Sequence, residues 1–167
     1  MLNLMSLEKV KDILGIVDGS GDARLEAFIP IVSADVREIL NDPMDRSYNC
    51  LIKGRTLETW PNLPLGQVVV SEGLPPDTYI AAKDNGEYTL SAEGVGDRIT
   101  PTINIRQWQA IARMVFYRTS VPAKAGDKVQ SKSIGPVSVS FSLDINKRWN
   151  YPQELIADLG YPRLRSC

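Results

Sequence analysis

The strongest structural signal in the chain is the stretch TINIRQWQAIARMVFYRT, residues 102–119. Its apolar residues recur at steps of three and four, which is the spacing of one face of an α-helix. Thr100 and Pro101 suit the cap and the first turn of that helix. The predicted buried face comprises Ile105, Trp108, Ile111, Ala112, Val115 and Phe116. Burying such a face supplies on the order of 10 kcal/mol, so this central helix needs partners elsewhere in the chain.

Two earlier helices are the predicted partners. Ser6 can cap a short helix that ends at Gly15, and Asp22 can cap a longer one that ends near Asn41. Pro30 lies inside the longer helix and is expected to bend it, because the apolar pattern stays in phase on both sides. The longer helix contributes the predicted core residues Leu25, Phe28, Val32 and Val36. The predicted fold class is therefore mainly α, an antiparallel helix bundle.

Residues 48–97 lose the helical period and are rich in Gly and Pro. The Asn85-Gly86 pair suits a tight hairpin turn, and Gly94-Val95-Gly96 is expected to be a loop. Runs with strand character lie at 67–71, 78–82 and 87–91. We therefore predict a β-hairpin-rich insertion within a core domain of residues 1–125.

The segment of residues 126–167 is predicted to be a C-terminal docking arm. A polar linker at 121–128 leads into it, and Val137, Val139 and Phe141 then alternate with serines, as in a strand with one apolar face. A short helix follows Pro152, with apolar residues Leu155, Ile156 and Leu159. The segment either packs back on its own core or docks on a neighbouring subunit. A linker of this length is unusual inside a compact domain.

The composition restricts the chemistry that the chain can perform. Its 167 residues carry a net charge of -1 and include no histidine. Histidine is the commonest general base and transition-metal ligand, so Ser-His and Cys-His nucleophile pairs are excluded. Cys50 and Cys167 are far apart, which predicts neither a zinc site nor a disulfide framework. No signal peptide and no membrane span are recognisable, so we expect a cytoplasmic protein. From the residue types present we also expect no catalytic, cofactor or metal site.

Some polar residues allow a second interpretation. Paired acids such as Asp42 and Asp45 can hold Mg²⁺, although a solvated loop face is the commoner role. The three tryptophans can stack on bases, although packing is the commoner role. Arg106, Arg113 and Arg118 can line a DNA passage, although a solvated face or intersubunit ion pairs are commoner.

The order of these segments along the chain carries a resemblance. The SLEKVK helix at 6–11 and the helix at 25–40 come first, followed by RTLETW at 55–60 and the central helix. GPVSVSFS at 135–142 and YPQELI at 151–156 close the chain. In this order the chain resembles a phage head-tail connector, the head-completion adaptor beneath the portal of tailed phages. The resemblance spans most of the chain and rests on the order of elements.

The resemblance implies a ring, commonly of twelve copies, bound to the portal protein, with the tail or a stopper protein joining below. The implied location is the virion neck, after assembly in the host cytoplasm. The lumen of such a ring can contact DNA passively, and no membrane partner is implied. The portal or subunit interface is then predicted to comprise Val137, Val139, Phe141, Tyr151, Leu155, Ile156, Leu159, Tyr161, Arg163 and Arg165.

Three other functions fit the sequence. Another neck or tail-completion protein is the nearest alternative. A small enzyme can use carboxylates and arginines on a phosphorylated substrate, and a tightly bound metal or nucleotide would favour it. A small nucleic-acid-binding module can use the arginines of the central helix, and salt-dependent binding to duplex DNA would favour that.

Overall fold

A computed structural model describes residues 3–59, 62–84, 86–120, 131–134, 137–140, 145–146 and 149–160. Its helices are α1 (Leu7–Leu14), α2 (Asp22–Leu40), α3 (Trp108–Ser120) and α4 (Gln153–Leu159). Its strands are β1 (Tyr48–Thr59), β2 (Gln67–Val70), β3 (Ile80–Asp84), β4 (Glu87–Asn104), β5 (Ser131–Ile134), β6 (Val137–Ser140), β7 (Ile145–Asn146) and β8 (Tyr151–Pro152). The chain forms two compact units, one of Met1–Asp42 with Gln107–Cys167 and the other of Pro43–Arg106.

The first unit contains all four described helices, and α3 packs against the other three. Ser6 caps α1, because its Oγ accepts a hydrogen bond from Lys9 N at 3.1 Å, and Gly15 ends that helix with φ 68°. Helix α2 continues through Pro30 to Leu40, and Asn41 ends it with φ 53°. The predicted extents of both helices are confirmed, although α2 takes Gly21 as its N-cap.

The central helix α3 is shorter than predicted. Thr100 and Pro101 pair with β2 as part of β4, and Ile105–Gln107 forms a 3-10 turn before α3 begins. The β-branched residues Thr102 and Ile103 favour the strand, whereas their spacing also fits a helix. Most of the predicted core residues are buried, namely Leu25, Val32, Val36, Ala112, Val115 and Phe116. The remaining three are only partly buried, namely Phe28, Ile105 and Trp108.

The second unit is built around β4, which pairs antiparallel with β1, β2 and β3. A bridge between Val68 and Tyr79 and a hydrogen bond from Val69 N to Thr78 O at 2.9 Å also join β2 to the chain around the start of β3. Its buried cluster comprises Ile52, Leu57, Leu63, Val69, Ile80, Tyr88, Leu90 and Ile99. This unit therefore has its own hydrophobic core.

The prediction of a mainly α helix bundle is wrong. The described residues form four α-helices and eight strands, and the main sheet is antiparallel with four strands. Apolar alternation predicts neither β1 nor the middle of β4, because glycines interrupt it in both. The expected loop at 94–96 pairs with residues 52–54, and Gly54 lies opposite Gly94. Glycine is found within strands where another part of the backbone approaches closely.

Gly73 is one point of such an approach. Val95 N donates a hydrogen bond to Gly73 O at 3.3 Å, and a Cβ atom on Gly73 would overlap the Val95 carbonyl oxygen. Because the obstacle is backbone of the sheet, we expect Gly73→Ala to lower the free energy of unfolding by about 1–3 kcal/mol in urea titration.

The matched control is Gly19→Ala. A Cβ at Gly19 would have its nearest neighbour, Asp22 Oδ2, at 3.5 Å, an ordinary contact distance. We expect the free energy of unfolding to change by no more than about 0.5 kcal/mol. Equal losses of unfolding free energy in the two variants would show that the close contact with Val95 does not require glycine at position 73.

Candidate functional site

A cluster of three polar side chains joins the C-terminal segment to both long helices. Asp35 lies on α2, Arg118 on α3, and Tyr151 on β8 immediately before α4. Arg118 Nη2 donates to Asp35 Oδ2 at 2.8 Å, and Arg118 Nε donates to Tyr151 Oη at 2.9 Å. Tyr151 Oη in turn donates to Asp35 Oδ2 at 2.6 Å. The three groups form a closed triangle of charge-assisted hydrogen bonds, which are stronger than neutral ones.

Burial and hydrogen bonding together determine the protonation states of Tyr151 and Arg118. Tyr151 is fully buried, and the guanidinium carbon of Arg118 lies 4.6 Å from its ring centroid. Burial, assisted by the hydrogen bond to Asp35, raises the pKa of Tyr151 far above its usual value. Burial by itself lowers the pKa of Arg118, but its hydrogen bonds to Tyr151 and Asp35, together with the charge of Asp35, outweigh that effect and raise the pKa. The cluster therefore holds a neutral phenol against a permanent cation, which suits attachment of the segment.

A second set of contacts holds α4 against α3. Arg113 lies 3.0 Å from Glu154 and 3.4 Å from Asp158, and both acids are on α4. Gln107 Nε2 donates to the carbonyl oxygen of Leu159 at 2.7 Å. These polar contacts surround the apolar side of α4 and hold it in place.

The structure places part of the predicted interface inside the chain itself. Tyr151, Leu155 and Leu159 are at most 2% exposed, and Ile156 is partly buried. Side chains packed in this way are not available to a portal protein, so α4 does not belong to a free arm in this structure. Val137 and Val139 lie in β6, whereas four further interface residues fall outside the described residues, namely Phe141, Tyr161, Arg163 and Arg165.

Strands β5 and β6 form a hairpin, with register from Ser131 opposite Ser140 to Ile134 opposite Val137. Among the described strands, neither pairs with any other. A two-stranded hairpin is only marginally stable in water, and each outer edge offers unpaired backbone groups. This hairpin is therefore suited to add to a sheet of another molecule.

The end of α3 and residues 149–151, which are described before and after the hairpin, are in contact. Arg118, near the end of α3, donates to the Trp149 carbonyl oxygen at 3.5 Å as well as to Tyr151. The last turn of α3 and residues 149–151 therefore lie side by side. Residues 121–148, which include the hairpin, therefore begin and end close together.

The residues with a second interpretation are placed as follows. Arg113 and Arg118 make ion pairs with acids of their own chain, whereas Arg106 is exposed. Lys9 Nζ lies 4.8 Å from the ring centroid of Trp108. Where the structure describes the chain, no group of three potential metal-ligating residues is found, and Trp60 lies outside that part. The charges of two of the three arginines are thus partly neutralised, which weakens the case for DNA binding.

Comparison with known proteins gives no family for this chain. No protein-family model matches it, and a search of curated proteins finds no match. None of the helices in the described ranges is long and apolar enough to cross a membrane.

Removing one hydroxyl group tests the attachment of the C-terminal segment. Tyr151→Phe keeps the ring but removes two hydrogen bonds to charged partners, so we expect the free energy of unfolding to fall by about 1.5–3 kcal/mol. Tyr88→Phe is the control, since the hydroxyl of Tyr88 bonds the neutral groups Leu63 N and Asn62 Oδ1, at 2.9 and 3.0 Å. A larger loss in Tyr88→Phe would contradict the importance of the cluster.

The raised pKa of Tyr151 also predicts a dependence on pH. Above pH ~10 an unfolded tyrosine loses its proton while the folded Tyr151 keeps it, so folding is opposed by up to about 1.4 kcal/mol per pH unit. The Tyr151→Phe variant has no hydroxyl group at this position, so its unfolding free energy does not show this decrease. The difference in unfolding free energy between wild type and Tyr151→Phe should therefore narrow between pH 9 and pH 11. A constant difference would show that the hydroxyl titrates normally in the folded state.

Proposed function

We propose that the chain is a structural subunit of virion assembly, a head-completion adaptor that forms a ring and joins the portal of a filled phage head to the tail. The observation that carries the proposal is the β5–β6 hairpin, which pairs with no other described strand. The resemblance in the order of segments supplies the partners, namely the portal protein, further copies of the chain, and a tail or stopper protein.

The proposed action is mechanical. An exposed strand that adds to a sheet of the portal or of a neighbouring subunit gains affinity from backbone hydrogen bonds and register from alternate side chains. The alternation of valine and serine in β6 suits this mode.

The closeness of the two ends of residues 121–148 favours docking of the hairpin. Ordering a segment costs conformational entropy, and the cost is smaller when its ends are already held together. Contacts of Arg118 with Trp149 and Tyr151 hold them together here. The docking element is thus an anchored hairpin, in place of the free arm expected from the sequence.

The decisive experiment measures the mass of the purified protein, alone and mixed with the portal ring encoded by the same genome, followed by electron microscopy. A ring bound coaxially to the portal is the expected result. A protein that ignores the portal at every concentration would overturn the adaptor proposal, and a ring that binds only purified tails would support the tail-completion alternative.

A matched pair of variants tests the role of the hairpin. Val137→Lys with Val139→Lys places two charges on the apolar positions of β6, and we expect portal binding to fall at least tenfold. Ser138→Lys with Ser140→Lys adds the same charges at the alternate positions of the strand and should bind within about threefold of wild type. Equal binding by both variants would exclude the valines from docking.

These substitutions are preferable to truncation. Deleting the chain from Gly126 onward would also remove Tyr151, Leu155 and Leu159, which are buried in the first unit. Loss of portal binding in that case would reflect loss of folding as much as loss of docking. Urea titration of each lysine variant confirms that its fold is retained.

A further inference from the structure

Strand β1 presents an open edge. This strand of 12 residues pairs with β4 on one side, and no other strand within the described ranges pairs with it. An edge of this length exposes a row of unpaired backbone N–H and C=O groups, which is a template for another strand. Gly54, near the middle of β1, adds no side chain that would obstruct an approaching strand.

The same ribbon carries exposed apolar residues. Leu51 is 42% exposed and Val95 is 69% exposed. Lys53 pairs with Val95, and Ile52 pairs with Gly96. Because side chains alternate along strands and paired residues share a face, Val95 and Lys53 lie on the face opposite the buried Ile52. Leu51 is exposed beside Ile52, within the irregularity between Asn49 and Ile52. A strand added to β1 would therefore lie next to Leu51 and Lys53, with Val95 one strand further into the sheet.

Charge favours a segment of this same chain as the added strand. Residues 121–148, which include the hairpin, carry five basic and two acidic residues, a net charge of +3. The second unit, Pro43–Arg106, carries six basic and eight acidic residues, a net charge of -2. Opposite net charges steer such a pair together and disfavour pairing of two like units.

We propose that β6 of one copy adds to the open edge of β1 in a second copy, so that Val137 and Val139 lie beside the exposed Leu51. This inference rests on the proposed function, since it names the neighbouring subunit as the sheet that receives the hairpin. The two surfaces of the contact are different, so each subunit offers a hairpin to one neighbour and an edge to the other. Such a head-to-tail contact generates a ring when the rotation between subunits closes.

Disulfide trapping between two populations of the full chain tests the pairing. Both carry Cys50→Ser and Cys167→Ser. One then carries Lys53→Cys and an added affinity tag that changes its mass, and the other carries Val139→Cys. Under mild oxidation we expect a disulfide-linked mixed dimer. It should be at least tenfold more abundant than in the control, in which the first population carries Ala23→Cys in place of Lys53→Cys; Ala23 is exposed on α2.

To allow for other registers between β6 and β1, the cross-linking is repeated with Leu51→Cys or Arg55→Cys in one population and Val137→Cys in the other. Mixed dimers no more abundant than the Ala23→Cys control, for all pairs, would overturn the inference. A third variant carries Lys53→Cys and Val139→Cys in one chain; a disulfide that forms only within that chain, and not between chains, would also overturn the inference, because the hairpin would then occupy its own sheet.

A second pair of variants measures the contact without cysteine. Leu51→Lys places a cation at the receiving edge against a basic hairpin, and we expect the concentration needed for self-association to rise at least tenfold. Ile31→Lys is the control, because Ile31 on α2 is similarly exposed, at 47%. Equal effects of the two variants, or no effect of either, would overturn the inference.

The portal experiment separates this inference from the proposed function. If subunits cross-link through β1 and β6 but do not bind the portal, the strand pairing is supported and the adaptor proposal is contradicted. If subunits bind the portal but do not cross-link in this way, the adaptor proposal is supported and the strand pairing is contradicted.

Discussion

The triangle of Asp35, Arg118 and Tyr151 determines which parts of the C-terminal segment are structural and which remain free to bind. It unites residues from α2, α3 and β8 through three hydrogen bonds between 2.6 and 2.9 Å. Arg118 and Asp35 are partly buried, and a charge withdrawn from water is costly unless it is paired, so each group of the triangle stabilises the other two. With Tyr151 held in this way, α4 packs on α3 and the β5–β6 hairpin is left between fixed points.

The helices of the first unit could be predicted because their signals are local. Ser6 and Gly15 mark the ends of α1, and the apolar spacing of α2 survives Pro30, since one proline does not change the phase of the pattern. The start of α3 could not be predicted in the same way. Thr100 and Pro101 are good helix-starting residues, but pairing with β2 takes them into the sheet, and tertiary pairing overrides a weak local preference.

The sheet and the polar cluster depend on contacts between distant residues. Strand β1 follows no regular alternation, because Gly54 and two irregularities interrupt its pairing with β4. Asp35 and Tyr151 are separated by 116 positions, and no short motif announces such a pair. Likewise, Arg113 and Arg118 look like a basic helix face in sequence, whereas the fold brings acids of α2 and α4 to them.

Strand β4 has a consequence for how the second unit opens. Its 18 residues pair with β1, β2 and β3 in turn, so the three partners are joined chiefly through one strand. If β4 detaches, each partner loses its main ladder at once, and no smaller sheet of comparable stability remains. Local opening of this unit is therefore all-or-none, and its amide hydrogens should share one exchange free energy. A load carried across the sheet would be borne by the whole unit until it gives way as a single body.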